Sequence, residues 1–201
     1  MQNTENIIKD VNQITDEEGY YLLSLAEKAI HDYVTEHKVY EPEEIKYENA
    51  KKLGASFVTL EKKGQLRGCI GSIIPYRPLY KDVIENAIAA ATKDPRFPPV
   101  TPEELKDIDV KLSILSYPER IIYRDYKDLL EKIEPFKDGL IIKYGNHQAT
   151  FLPDVWHQIP DKELFLSNLC YKAGLPPDFW KTGLLEVYRY RTKTFSKTKI
   201  R

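Results

Sequence analysis

A cysteine stands between two glycines, two residues after an arginine, in the hexamer Leu66-Arg67-Gly68-Cys69-Ile70-Gly71. The hexamer lies near the end of the run FVTLEKKGQLRGCIGSI, which reads as strand, turn and strand. If residues 65–72 are a strand, side chains alternate between its faces. Arg67, Cys69 and Gly71 then share one face, and Leu66, Gly68 and Ile70 take the other. A guanidinium close to a thiol favours the thiolate, which is the nucleophilic form of cysteine. Arg67 is therefore expected to depress the Cys69 pKa by charge proximity. A glycine inside a strand often marks a close approach by a ligand or by another backbone, which makes Gly68 and Gly71 candidate substrate contacts. The same cysteine also suits a core, where it packs as a small hydrophobe. Residue types leave both readings open.

A nucleophilic cysteine needs a base and an orienting group. The histidines are His31, His37, His147 and His157. The first two fall on or just after the first helix, His147 at a hairpin tip, and His157 after Trp156 at a helix entry. No spacing singles out a partner, and His157 is the preferred one of the four. The segment DPRFPP, 94–99, has two readings. In one, Asp94 ends a helix, Arg96 bonds its free carbonyls and the prolines stiffen a loop. In the other, the Arg96 fork stands at a binding rim, where it suits a carboxylate or phosphate. Cys170 shares an apolar helical face with Phe165, Leu166, Leu169 and Ala173 and reads as core, with Trp156 and Trp180 as packing anchors. There is no paired-cysteine motif, HExxH or close Cys–His cluster, so no metal site is expected. Neither a Walker loop nor a dinucleotide fingerprint occurs, and no cofactor is expected.

The elements that must position these residues follow from local signals. Thr15 before Asp16, Glu17 and Glu18 forms a capping box opening a helix to about His37. EPEEIKYENAKK is a short helix or loop. Strands are expected at Ser56–Glu61 and Gln65–Ser72 about a Lys62-Lys63-Gly64 turn. A helix follows over Leu79–Thr92, stopped by the prolines of DPRFPP. Thr101-Pro102-Glu103-Glu104 caps a helical turn. IDVKLSILSY alternates cleanly, with Ile108, Val110, Leu112 and Ile114 on one face. RDYKDLLEKI reads as a short helix and GLIIKYGNHQATFLP as a hairpin whose Gly-Asn order reverses the favoured Asn-Gly. DKELFLSNLCYKAG is a helix ending at Gly174, LLEVYRYRTKTF a last strand and SKTKIR a frayed end. Hairpins and helices without regular βα alternation imply an α+β fold: a mainly antiparallel sheet with flanking helices. Seams between two subdomains are expected near 75–78 and 98–102.

Composition narrows the function classes. A net charge of −1 over 201 residues excludes a strong overall nucleic-acid or membrane footprint. No apolar run approaches the roughly 20 residues of a membrane helix. Two cysteines and no signal-peptide apolar region point to the cytoplasm. Scarce Asn and Gln beside abundant Lys, Glu and Ile lean toward a thermophile. Residues Arg189 to Arg201 carry six cations and no acid, as an ordinary exposed end or as an electrostatic handle for RNA or an acidic partner.

LRGCIG at 66–71, DPRFPP at 94–99, FLPDVW at 151–156 and LCYKAGLPPDFW at 169–180 occur in an order that resembles the AMMECR domain family, named for the Alport syndrome, midface hypoplasia and elliptocytosis chromosomal region. The resemblance runs from the first helix to about Phe195 and departs at the C-terminus, where a basic tail replaces a short, more acidic ending. It implies a larger α+β subdomain beside a smaller one, with Leu66 to Gly71 near a cleft and Asp94, Arg96 and Phe97 as neighbours. It supplies no established activity. Association of such domains in prokaryotes with a dioxygenase-like metal-site protein and a radical enzyme suggests a modification pathway. Two expectations follow. One is a thiol-dependent enzyme or enzyme subunit, with Cys69 reactive, Arg67 stabilising it and Arg96 positioning a small-molecule substrate. The other is a non-catalytic module whose cleft binds a peptide, a protein partner or RNA.

Overall fold

The computed structural model describes residues 6–197. The chain divides into two compact units. The described residues of Met1–Tyr117 and Lys193–Arg201 form the first, and Pro118–Thr192 the second. The proline-rich segments 75–78 and 98–102 both lie within the first unit. Among the described residues no helix is long and apolar enough to cross a membrane.

In the first unit, α1 (Asp16–Glu36) begins as its capping box dictates: Thr15 Oγ1 accepts the Glu18 amide while Glu18 accepts that of Thr15. It ends at His37 in the left-handed conformation, φ 54°. One turn, α2 (Glu48–Lys51), precedes the hairpin of β1 (Leu53–Lys62) and β2 (Gln65–Gly71). Its two-residue turn, Lys63 and Gly64, has φ of 52° and 77°. Two positive φ values are what a type I′ turn requires. The short β3 (Arg77–Pro78) leads into α3 (Leu79–Thr92), which buries Leu79, Val83, Ala87, Ala90 and Ala91. A six-residue 3-10 helix at Pro102–Asp107 precedes β4 (Ile108–Leu115). The alternation read from the sequence holds, since Leu112 pairs with Val58 and Val110 with Leu60, within the core against α1 and α3.

A buried polar network that no sequence signal disclosed ties α3 to β1. Asp82, 0% exposed, accepts from the Ser56 amide (2.8 Å), Ser56 Oγ (2.7 Å) and Asn86 Nδ2 (3.0 Å) at one oxygen. Its other oxygen accepts from Ser72 Oγ (2.7 Å) and Arg77 Nε (2.8 Å). Arg77 also binds Asn86 and pairs with Glu85.

The second unit contains β5 (Glu119–Ile121), α4 (Tyr126–Lys132), β6 (Gly139–Tyr144), β7 (His147–Phe151), α5 (Lys162–Lys172) and β8 (Glu186–Tyr190), its sheet ordered β5-β8-β6-β7. Gly145 takes φ 57° in the β6–β7 turn while Asn146 does not. Glycine in first place suits a type II′ turn, so the reversed Gly-Asn order is the fitting one. Trp156 stacks on Phe165 with ring centres 3.7 Å apart, and its indole donates to the Asp138 carbonyl. Cys170 is wholly buried in this core, and burial pushes its thiol up to about 11.

The expected single last strand is two. The ladder breaks at Arg191, and β9 (Thr192–Ser196) joins the first unit's sheet, ordered β2-β1-β4-β9 with β3 beside β1. Asp138, fully buried, holds both arginines at the end of β8, Arg191 Nε at 2.9 Å and Arg189 Nη1 at 3.6 Å. Lys193 pairs with Asp16, and Lys197 with Glu27. Arg189, Arg191 and Lys193 are thus only partly exposed, which corrects the reading of an ordinary exposed end for these three, while Lys197 stays exposed. Lys199, Arg201 and the rest of the SKTKIR end beyond Lys197 lie outside the described residues.

Candidate thiol site on the second strand

The hexamer is bent by one extra residue. Lys62 pairs with Gln65 and Glu61 with Leu66, but Leu60 pairs with Gly68 and Thr59 with Cys69. Arg67 is therefore unpaired in a β-bulge, which re-aims its side chain. Cys69 and Gly71 keep their common face, alongside Thr59 and Phe57. Arg67 leaves the alternation, so the shared face expected for it and Cys69 does not form. It instead grips Glu104 with two parallel bonds, Nε to Oε1 and Nη2 to Oε2, both 3.1 Å. Lys62 Nζ adds a third contact at 3.0 Å. This bidentate pair clamps β2 to the turn at Pro102–Asp107. The Arg67 guanidinium also stands 5.9 Å from the Phe97 ring centre.

The group beside Cys69 is the loop after α3. Asp94, only 4% exposed, accepts the Cys69 amide at 2.9 Å. It also binds Arg96 through Nη2 (2.7 Å), Nε (3.0 Å) and the Arg96 amide (3.1 Å). Arg96, chiefly, and these amide bonds hold the Asp94 carboxyl far below the usual carboxylate range. The Arg96 side chain stays 55% exposed, and the Cys69 sulfur adds to the negative field that raises its pKa, mainly set by Asp94. Phe97 lies against both guanidinium groups, at 5.6 Å from Arg96. The residues that the resemblance grouped, the hexamer with Asp94, Arg96 and Phe97, thus meet. Their internal pairing differs: Arg96 is the arginine electrostatically linked to the thiol, and Arg67 belongs to Glu104.

Each hexamer glycine has a packing reason. A Cβ on Gly68 would lie 2.2 Å from the Ala90 carbonyl oxygen, so its absence lets β2 approach the α3 backbone. A Cβ on Gly71 would meet the Phe57 ring at 2.2 Å. Thr59, which sequence reading passed over, places its hydroxyl 3.3 Å from Cys69 Sγ. Cross-strand register brings it there, and register has no local signature. The half-buried thiol thus has a hydrogen-bonding hydroxyl on one side and a guanidinium near it. Of the histidines, His31 and His37 are exposed, His147 places Nδ1 2.9 Å from the Ala173 carbonyl, and His157 tilts against Phe136. Nδ1–H of His147 donates there, which caps the end of α5.

The Arg67–Glu104 clamp has a pH signature. Arg67, first, then the Thr101 amide lower the Glu104 carboxyl from the ordinary 4.5 to about 2. A depressed folded-state pKa gives stability that is complete above the unfolded value and is lost as pH falls toward 2. Wild-type protein should lose roughly 2 kcal/mol more than a Glu104→Gln variant between pH 5 and pH 2. Urea midpoints across that range measure it, and parallel acid limbs would refute the clamp.

Comparison with known proteins places the chain. The AMMECR1 family matches residues 23–195. A protein of Methanothermobacter thermautotrophicus is 43% identical over 186 residues, covering 90% of this chain and 95% of its own. One from Methanocaldococcus jannaschii is 41% identical, with 94% of each chain covered. The crystal structure of an uncharacterised protein from Pyrococcus horikoshii superimposes with a TM-score of 0.87 at 37% identity, covering 92% of this chain and 93% of that one.

Proposed function

The chain belongs to the AMMECR1 family, and we propose that it works through Cys69 as a thiol-dependent enzyme or an enzyme subunit carrying an essential thiol. The observation supporting this is the double use of Asp94, whose carboxylate binds the Cys69 amide and the Arg96 guanidinium together. That arrangement keeps a cation beside the sulfur without a histidine. Cys69 is the nucleophile or acceptor, Arg96 favours its thiolate, and the Thr59 hydroxyl steadies the charge by hydrogen bonding. Arg67 is a positioning residue that fixes the bulge. Gly68 and Gly71 let β2 lie where the thiol must sit.

The test is the rate of Cys69 alkylation by iodoacetamide against pH, with peptide mapping to separate it from the buried Cys170. A midpoint about one unit below the 8.5 of unperturbed cysteine is expected. Arg96→Ala should raise it more than Arg67→Ala does. Reaction only after unfolding would end the proposal.

A second reading has its own support. Arg67 binds Glu104 through Nε and Nη2, and Gly68 and Gly71 answer to packing, so the hexamer also suits the framework of a non-catalytic module that binds a protein partner or RNA. Nucleic acid that co-purifies and is released by salt would favour that reading.

A further inference from the structure

One face of the first unit's sheet packs against α1 and α3 through Val58, Leu60, Leu112 and Ile114. The opposite face carries Thr59 and Glu61 from β1, Cys69 from β2, and Asp109 and Lys111 from β4. Register places Cys69 opposite Thr59, and Thr59 opposite Lys111, so the three form one row across three strands. Side chains directly opposite in antiparallel strands point the same way and touch, as the 3.3 Å contact between Thr59 Oγ1 and Cys69 Sγ shows. Lys111 Nζ is steadied by Glu61 Oε1 at 3.3 Å. The two side chains keep 28% and 33% of their surface in water, so the pair borders solvent.

Two cations flank the thiol, one of them outside the row. Arg96 stands at the outer, edge side of β2, its Nε and Nη2 taken by Asp94. Lys111 stands two strands inward from Cys69, about 10 Å from it at the backbone. A flexible lysine stem and a small anion span that gap together. Thr59 lies between them, its one hydroxyl proton directed to the Cys69 thiolate. Glu61 and Asp109, paired across the strands beyond Thr59, bound this strip with negative charge and confine an anion to the Cys69 side.

We propose that this face binds a small anionic group, a carboxylate or a phosphate, with Lys111 as its cationic contact. Resting on the thiol reading above, the substrate of Cys69 is then an acid whose electrophilic carbon reaches Sγ while its charge lies toward Lys111. Glu61 is the positioning residue that holds the ammonium in place and weakens its pull on the anion.

Two probes differing by one charge test this. Iodoacetate and iodoacetamide alkylate a thiolate by the same step: sulfur bonds the methylene carbon, the carbon–iodine bond breaks and iodide leaves. The ratio of their rates at Cys69, against the same ratio for the urea-unfolded chain, isolates the charge. Folding should raise that ratio. Lys111→Gln should lower it roughly fivefold, the worth of one solvent-screened charge at about 4 Å, and Glu61→Gln should raise it. Opposite signs for the two variants would not arise from loosened packing.

Inorganic phosphate, titrated while amide resonances of Thr59, Cys69 and Lys111 are followed, gives a readout independent of thiol reactivity. Saturable shifts lost in Lys111→Gln support the anion site even if the folded thiol proves inert, in which case only the thiol reading falls. A reactive Cys69 with an unchanged ratio, no response to either variant and no phosphate shifts would overturn the anion site while sparing the thiol reading.

Discussion

Asp82→Ala is expected to destabilise the protein by about 4 kcal/mol, the largest effect of any single substitution considered, because it breaks a buried ion pair from one side. The carboxylate is fully buried and accepts five hydrogen bonds, from Ser56 twice, Ser72, Asn86 and Arg77. Its removal leaves Arg77, 18% exposed, with its Nε unmatched and the Ser56 amide without an acceptor. The double variant Asp82→Ala, Arg77→Met should be less damaged than Asp82→Ala alone, since replacing both charges by apolar groups avoids the stranded cation. Equilibrium urea unfolding of the three proteins decides it. A double variant as unstable as the sum of two independent losses would mean that the arginine is held by Glu85 and Asn86 without need of Asp82.

The second large effect is at Gly68. Alanine there should cost about 3 kcal/mol, at the upper end of overpacking penalties, because the new methyl would lie 2.2 Å from a carbonyl oxygen of the α3 backbone. A helix main chain cannot step aside as a side chain can. Gly71→Ala is the internal control: its methyl meets the Phe57 ring at 2.2 Å, and that ring is only partly buried and can rotate away. Gly68→Ala should therefore lower the urea midpoint more than Gly71→Ala does. Equal losses, or a nearly neutral Gly68→Ala, would show that β2 and α3 do not depend on this contact.

How far the site was legible in the chain depended on whether its signals were local. The alternation of Ile108, Val110, Leu112 and Ile114, the capping box at Thr15 and the Leu79–Thr92 helix each follow from residues within a few positions, and each stands where the sequence puts it. The meeting of Asp94, Arg96 and Phe97 with the hexamer came through the family resemblance, not through spacing. What stayed hidden is non-local. A bulge adds one residue to one strand without any compositional mark, so Arg67 reads as an ordinary alternating position until its partner strand is known. Thr59 and Lys111 lie 10 and 42 residues from Cys69, and only register joins them to it. LLEVYRYRTKTF divides between two sheets at Arg191, where a buried aspartate far upstream at position 138 pairs with Arg189 and Arg191, and no window along the strand contains it.

That divided strand sets an order of events in synthesis. The second unit is one uninterrupted run, Pro118–Thr192, whereas the first receives β9 only after all of the second has left the ribosome. Until then β4 is a bare edge, with Ser113 and its neighbours presenting unpaired backbone groups beside Leu112 and Ile114. Such an edge is a template for pairing with another chain. At a translation speed of about 5–20 residues per second, it stays open for several seconds. A nascent chain that stalls within the second unit would carry that sticky border into the cell, which makes the last few residues of the described chain a guard against self-association as well as a part of the fold.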